Sequence, residues 1–130
     1  MGILNLTPDS FYDGGKFMDS YLEAVESLLE EGAGIIDIGG MSTRPKSIEV
    51  EIDEELKRVI GPIEEIRKRF PEAILSIDTF RAIVAKEAIH AGAHIINDIS
   101  GGTMDPEMFP TVGALKVPYV LSHIQGNPSN

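Results

Sequence analysis

Short, isoleucine-rich apolar runs recur along the chain and are separated by longer, more polar segments. Each run is too short for a helix. Their nearly continuous apolar character is typical of strands that are covered on both faces of a parallel sheet. The predicted strands are residues 3–6, 35–38, 74–77, 95–96 with Ile99, and 117–121.

The segments between these runs carry apolar residues at helical spacing. The predicted helices are one with a capping box at Ser20 and Glu23 and a stop at Gly32, one from about Asp53 to Phe70 with a kink at Gly61 and Pro62, one over Ala82 to Ala91, and a weaker one that starts at Asp105 and Pro106. Alternating strands and helices predict an α/β protein with a parallel sheet. Two architectures fit: an open doubly wound sheet or a (βα)8 barrel.

Composition narrows the class of partner. The chain has 130 residues, enough for one domain, and a net charge of −10. That charge disfavours nucleic acid and anionic membrane surfaces as partners, so a small molecule is expected. No apolar run reaches the roughly 20 residues of a membrane span and no export signal is recognisable, so we expect a cytoplasmic location. The absence of cysteine excludes disulfide and thiolate chemistry.

Polar residues stand at the carboxyl ends of the predicted strands, where both candidate architectures place their active sites. One such residue alone could simply cap the next helix or stabilise a turn, so the prediction of a site rests on the whole set. Asp37, which precedes two glycines, is expected to have a structural or supporting role, as are His90 and His94, away from this rim. The set comprises Asn5, Asp37, Asp78, Asn97, Asp98 and His123.

The loop after the second strand reads "GGMSTRPK", residues 39–46. Its glycine amides, its hydroxyls and the guanidinium of Arg44 suit a phosphate group. Asn5 beside such a loop suggests Mg²⁺, which prefers oxygen ligands and is often completed by substrate phosphates. Asp78 and Asn97, on neighbouring strands, could read the donor and acceptor edge of a flat heterocycle. The pattern therefore predicts a heterocyclic ligand with a phosphorylated arm.

Five stretches together resemble dihydropteroate synthase, the folate-pathway enzyme family that sulfonamides inhibit. They are "MGILNLTPDSFYDGG", "GGMSTRP", "SIDT" at 76–79, "AHIINDISGG" at 93–102 and "SHIQGNP" at 122–128. The resemblance implies a (βα)8 barrel that joins 6-hydroxymethyl-7,8-dihydropterin pyrophosphate to p-aminobenzoate, releasing pyrophosphate and 7,8-dihydropteroate.

The resemblance also implies roles for individual residues. Asn5 would contact Mg²⁺, and Asp78 and Asn97 would contact the pterin. Asp78, Arg44 and Asn5 would carry the catalysis. The remaining substrate-binding residues would be Thr43 and Arg44 at the pyrophosphate, Phe11 and Pro45 lining the p-aminobenzoate pocket, and Asp13, which would order the closed loops.

Two departures from the family pattern are visible. Met41 and Lys46 stand where the second loop usually has glutamate and glycine. Residues 1–130 would also form only a partial barrel domain, strands one to five, and lack the family's later pterin and pyrophosphate residues. We therefore expect a homo-oligomer, an aggregate or a missing C-terminal half, with weak or no activity in the isolated chain. The alternatives are a pterin-binding methyltransferase domain and a truncated, non-catalytic pterin-binding fragment.

Overall fold

A computed structural model describes residues 2–6, 17–40, 51–98 and 104–121, with the backbone alone at residues 17–20 and 121. Strands and helices alternate over these ranges, as predicted. The elements are β1 (Gly2–Asn5), α1 (Phe17–Glu30), β2 (Ile35–Gly39), α2 (Ile52–Arg69), β3 (Ile74–Asp78), α3 (Ala82–Ala91), β4 (Ile95–Asp98), α4 (Met108–Leu115) and β5 (Tyr119–Leu121).

All strand pairs are parallel, and the strands lie in the order β1-β2-β3-β4-β5. A doubly wound sheet reverses its strand order at a switch point, whereas a (βα)8 barrel adds each new strand beside the last. The sequential order therefore selects the barrel type over the open sheet. Five strands form part of such a barrel, as the sequence predicts.

One face of the sheet is covered by the helices. Each helix contacts the next one along the chain, so all four lie on the same side. The strand residues that point to this side are fully buried aliphatic side chains, which pack against apolar positions of the helices. These strand residues are Leu4, Ile36, Ile38, Leu75, Ile77 and Ile96. Burial of this apolar surface is the main force that holds the helices on the sheet.

The other face corresponds to the interior of a barrel, because alternate residues of a strand point to opposite sides. It carries polar side chains together with exposed aliphatic ones. Ile3 is 72% exposed, Val120 46% and Ile74 43%. Among the described residues, these aliphatic side chains are therefore left uncovered on the interior face.

Helix starts differ from the sequence prediction. α1 begins at Phe17, so Ser20 lies within the helix and the predicted capping box at Ser20 and Glu23 is wrong. A single short motif does not fix the residue at which a helix starts. α2 runs on through the buried Pro62. α4 begins at Met108, after a turn held by Asp105. Among the described residues no helix is long and apolar enough to cross a membrane.

Candidate active site

Four residues form a row across the carboxyl ends of neighbouring strands. Asn5 pairs in register with Gly39, Gly39 with Asp78, and Asp78 with Asn97. In-register residues of parallel strands point to the same face, and adjacent strands lie about 4.8 Å apart. The row therefore sets two amides and one carboxyl side by side on the barrel-interior face. The prediction that Asp78 and Asn97 face each other is confirmed.

Asp78 supplies the one carboxyl of this row, and the pKa of that carboxyl is strongly shifted. Burial raises the pKa of its carboxyl to about 7, and the nearby negative charges of Asp37, Glu55 and Asp98 act in the same direction. At neutral pH this carboxyl is thus poised between its protonated and ionised forms. Such a group can accept hydrogen bonds from a ligand or stabilise positive charge, and it can also release a proton on binding.

Asp37 lies one step deeper on the same face, paired in register with Ile3 and Ser76. Its side chain is only 4% exposed, and its Oδ2 accepts a 3.2 Å hydrogen bond from Nδ2 of Asn97. Burial raises the pKa of Asp37, while hydrogen bonds from Ser76 and Asn97 oppose the shift. Asp37 therefore orients the Asn97 amide from below, which agrees with the supporting role expected for it.

Asn5 ends β1 with its side-chain oxygen Oδ1 buried and without a hydrogen-bond partner among the described residues. A buried, unpaired amide oxygen is costly unless a ligand or an ion completes it. Gly39, its neighbour in the row, has no side chain; a Cβ there would lie 3.5 Å from the Cβ of Asp78. The glycine thus leaves the position between Asn5 and Asp78 without a side chain.

The described residues of this rim do not form a metal centre by themselves. Within residues 2–6, 17–40, 51–98 and 104–121, no group of three or more His, Cys, Asp and Glu side chains could hold a metal ion. The lone oxygen of Asn5 still fits Mg²⁺, which commonly takes few protein ligands and completes its shell with water and phosphate.

Some predicted strand-end residues do not join the row. Asp98 points to the helix side, where it is fully buried and its Oδ2 accepts a 2.8 Å hydrogen bond from the hydroxyl of Tyr119. The inclusion of Asp98 among the convergent polar ends is therefore wrong, because its neighbour Asn97 takes the interior-facing position. His94 is structural, as expected: its Nδ1 accepts a 3.0 Å hydrogen bond from the backbone of Leu75.

Other predicted site residues lie outside the described part of the chain. These are the residues of the first and second loops and the end of the fifth strand. They are Phe11, Asp13, Met41, Thr43, Arg44, Pro45, Lys46 and His123.

The sequence prediction missed one buried acid close to the row. Glu55, in the first turn of α2, is 1% exposed and pairs with Arg81. A signal was present in the sequence: Glu55 stands four residues before Val59 and eight before Ile63, on the stripe that this helix buries. A charged residue on an apolar stripe points to a buried, paired role.

Comparison with known proteins extends this geometry. The profile of the family described as "Pterin binding enzyme" matches residues 1–130. Folic acid synthesis protein fol1 of Pneumocystis carinii is 55% identical over 128 residues, which cover 98% of this chain and 17% of that protein.

Two solved structures give the same picture. Dihydropteroate synthase from Clostridium difficile, crystallised in the presence of pteroic acid, superposes with a TM-score of 0.90 at 41% identity, over 97% of this chain and 48% of that one. The Xanthomonas albilineans dihydropteroate synthase with 4-aminobenzoic acid gives 0.88 at 43% identity, over 98% and 46%.

The chain therefore spans less than half the length of each of these relatives. The family profile covers residues 1–130 of this chain. By the strand order, the row of polar strand ends and this match, the chain belongs to the pterin binding enzyme family.

Proposed function

We propose that this chain provides the pterin-binding strand ends of a dihydropteroate synthase. The reaction would join 6-hydroxymethyl-7,8-dihydropterin pyrophosphate to p-aminobenzoate, giving 7,8-dihydropteroate and pyrophosphate. The observation that carries the proposal is the in-register pair of Asp78 and Asn97 on the interior face, beside Gly39, which has no side chain. Similarity to dihydropteroate synthases supports the same reaction.

The pair suits a pterin ring because the ring edge combines N–H donors with acceptor atoms. The carboxyl of Asp78 would accept from ring N–H groups, and the Asn97 amide, held by Asp37, would complete the edge. With its pKa raised to about 7 by burial, Asp78 loses its proton readily when a donor-rich ring binds. The ionised carboxylate then faces a ring that becomes positively charged during the reaction.

In the proposed reaction the bond between the pterin methylene carbon and the pyrophosphate oxygen breaks, and its electron pair leaves with pyrophosphate. The amine nitrogen of p-aminobenzoate then donates its lone pair to that carbon and loses a proton. Negative charge at Asp78 stabilises the intervening cation. No protein nucleophile is required. Thr43 and Arg44 would bind the pyrophosphate, and Phe11 and Pro45 would line the p-aminobenzoate pocket. Asp13 would help to order the loops that close and exclude water.

Asn5 is proposed as a contact to Mg²⁺ because its buried Oδ1 has no partner among the described residues. The ion, when bound, would neutralise charge on the departing pyrophosphate. A cytoplasmic location and association with further polypeptide, from a second copy or a C-terminal half, stay predictions.

The test is product formation by the full-length protein from the two substrates with Mg²⁺, read as dihydropteroate by mass spectrometry. The Asp78→Asn variant should lose at least about 100-fold in kcat/KM, because it removes the charge next to the developing cation. The exposed Asp53→Asn variant is the matched control and should retain activity.

Other outcomes separate the alternatives. Pterin binding without product would favour a non-catalytic binding fragment. Stabilisation by a pterin but not by Mg²⁺ with pyrophosphate would favour a pterin-binding methyltransferase, whose reaction has no pyrophosphate to hold. Wild-type turnover in Asp78→Asn would refute the proposed role of Asp78.

A further inference from the structure

Glu55 sits directly behind the carboxyl end of β3. Its Oε2 accepts a 2.7 Å hydrogen bond from the hydroxyl of Thr79, and its Oε1 lies 3.1 Å from Nη1 of Arg81. The backbone N–H of Arg81 in turn donates to the Thr79 hydroxyl at 3.2 Å. Glu55 is 1% exposed and Thr79 4%. A buried carboxylate with this many partners fixes its neighbours tightly, because breaking one contact leaves charge unpaired.

Thr79 connects this carboxylate to both heterocycle-facing residues. It follows Asp78 directly in the chain, and its backbone N–H donates to the carbonyl oxygen of Asn97 at 3.2 Å. Thr79 itself points to the helix side of the sheet, whereas Asp78 points to the interior side. The hydroxyl contact with Glu55 therefore holds the peptide from which the Asp78 side chain projects.

The same turn of α2 also holds the end of β2. Nη1 of Arg58 donates to the carbonyl oxygen of Gly40 at 2.9 Å. A Cβ at Gly40 would approach Val59 Cγ1 to 3.0 Å and Arg58 Cβ to 3.3 Å, so the helix packs tightly on this glycine. Gly40 leads into the segment that carries Thr43 and Arg44. One helix turn thus ties together the ends of two neighbouring strands.

We propose that Glu55 is a positioning residue for the strand-end site: through Thr79 it fixes the peptide that carries Asp78, in a helix turn that also anchors Gly40. The inference rests on the proposed function for its effect on turnover. It assigns Glu55 no contact with substrate.

Electrostatics supports the proposal. Negative charge reaches Asp78 from Asp37 on β2, Glu55 on α2 and Asp98 on β4, and burial together with these charges raises its pKa. Arg81 on the other side of Glu55 compensates that residue's own charge. Removing the Glu55 charge should therefore lower the titration midpoint of Asp78, a change that a general loss of stability would not produce.

The test uses Glu55→Gln in the full-length protein, which keeps side-chain length and an oxygen for the Thr79 hydroxyl. Glu64→Gln is the matched control: it removes the same charge from an exposed side chain of the same helix. Two quantities are read: kcat/KM, and the titration midpoint of the Asp78 carboxyl by carbon NMR without substrate, assigned with Asp78→Asn.

In Glu55→Gln we expect kcat/KM to fall roughly tenfold or more, because the strand end loses its fixed position. We expect the Asp78 midpoint to fall by roughly half a pH unit or more. Glu64→Gln should change neither. A folded Glu55→Gln protein that alters only one of the two quantities, or neither, would overturn the proposal. Since the midpoint is measured without substrate, absence of turnover in the wild type counts against the proposed function alone.

A second variant covers the case in which Glu55→Gln does not fold. Thr79→Val removes the hydroxyl at nearly constant shape, and Thr79→Ser keeps it. We expect Thr79→Val to lose kcat/KM roughly tenfold and Thr79→Ser to restore it. Full activity and an unchanged Asp78 midpoint in Thr79→Val would show that the Glu55–Thr79 contact does not position the site.

Discussion

Nδ2 of Asn97 donates a hydrogen bond to Oδ2 of Asp37 at 3.2 Å, although the two residues are 60 positions apart in the chain. Strand β3 lies between the strands of these two residues. The bond therefore crosses β3 on the interior face, one layer below Asp78. It gives the Asn97 amide a defined orientation on a face where burial makes unpaired polar atoms expensive. The Asn97 amide and the Asp37 carboxyl therefore hold each other in place at the base of the site.

The Asn97–Asp37 bond predicts a charge-dependent stability change. Asn97→Asp replaces the donor with a second carboxyl beside Asp37 and should lower the free energy of unfolding by about 2 kcal/mol at pH 8. The reciprocal double variant Asn97→Asp with Asp37→Asn restores one donor and one acceptor, so it should recover most of the loss. Urea unfolding of the four proteins measures the coupling. Additive losses in the double variant would contradict it.

The raised pKa of Asp78 predicts that stability depends on pH. The folded-state pKa of about 7 lies above the ordinary value of 3.8, so the folded protein holds this proton more tightly than the unfolded one does. The stabilisation of the folded state by this bound proton is fully present below about pH 4 and is lost as the pH rises through 7.

Asp78→Asn removes this dependence. Between pH 5 and pH 8, the free energy of unfolding of Asp78→Asn should therefore rise by roughly 2 kcal/mol relative to that of the wild type. This is less than the full free-energy equivalent of the pKa shift. Urea midpoints at the two pH values measure the gain, with the exposed Asp53→Asn as the control. An equal pH response in Asp78→Asn and in the wild type would show that Asp78 titrates normally.

The two adjacent glycines after Ile38 predict opposite phenotypes. A Cβ at Gly39 would meet Asp78 at 3.5 Å or more, an ordinary contact, but it would occupy the space between Asn5 and Asp78. Gly39→Ala should thus keep its thermal midpoint and lose pterin affinity about tenfold, as measured by calorimetry.

At Gly40 the added Cβ would lie 3.0 Å from Val59, so Gly40→Ala should lower the free energy of unfolding by about 1–3 kcal/mol. Each variant is the control for the other. A loss of stability in Gly39→Ala, or unchanged stability in Gly40→Ala, would contradict this assignment.

Asp105 stabilises the start of a helix to which it does not belong. Its Oδ2 accepts a 2.8 Å hydrogen bond from the backbone N–H of Ala82, the first residue of α3, while Oδ1 accepts one from Glu107 at 2.9 Å. Asp105→Ala should cost about 1–2 kcal/mol of unfolding free energy, and Asp105→Asn, which keeps an acceptor, less. Glu107→Ala, at an exposed residue, is the control. Equal stability of Asp105→Ala and this control would show that the Asp105 side chain does not stabilise the start of α3.

The sequence by itself determined the kinds of elements and their order. Isoleucine-rich runs leave few alternatives for β2, β3 and β4. The stop at Gly92, which has a φ of 132°, does the same for α3, and α3 spans Ala82–Ala91 as predicted. These are local properties, set by short-range sterics and by the period of apolar residues. The polar strand ends also predicted that Asp78 and Asn97 lie on one rim, because parallel strands end at the same edge of the sheet.

Only the tertiary structure decided which side chains face the site. Asn97 and Asp98 are adjacent and both polar, yet alternation along the strand sends the first to the interior and the second to Tyr119. The hydrogen bond at the start of α3, the burial of Glu55 and the pKa of Asp78 depend on groups more than 20 residues away along the chain or on helices that pack over the sheet. A local sequence pattern cannot encode them, since burial and charge act through space rather than along the chain.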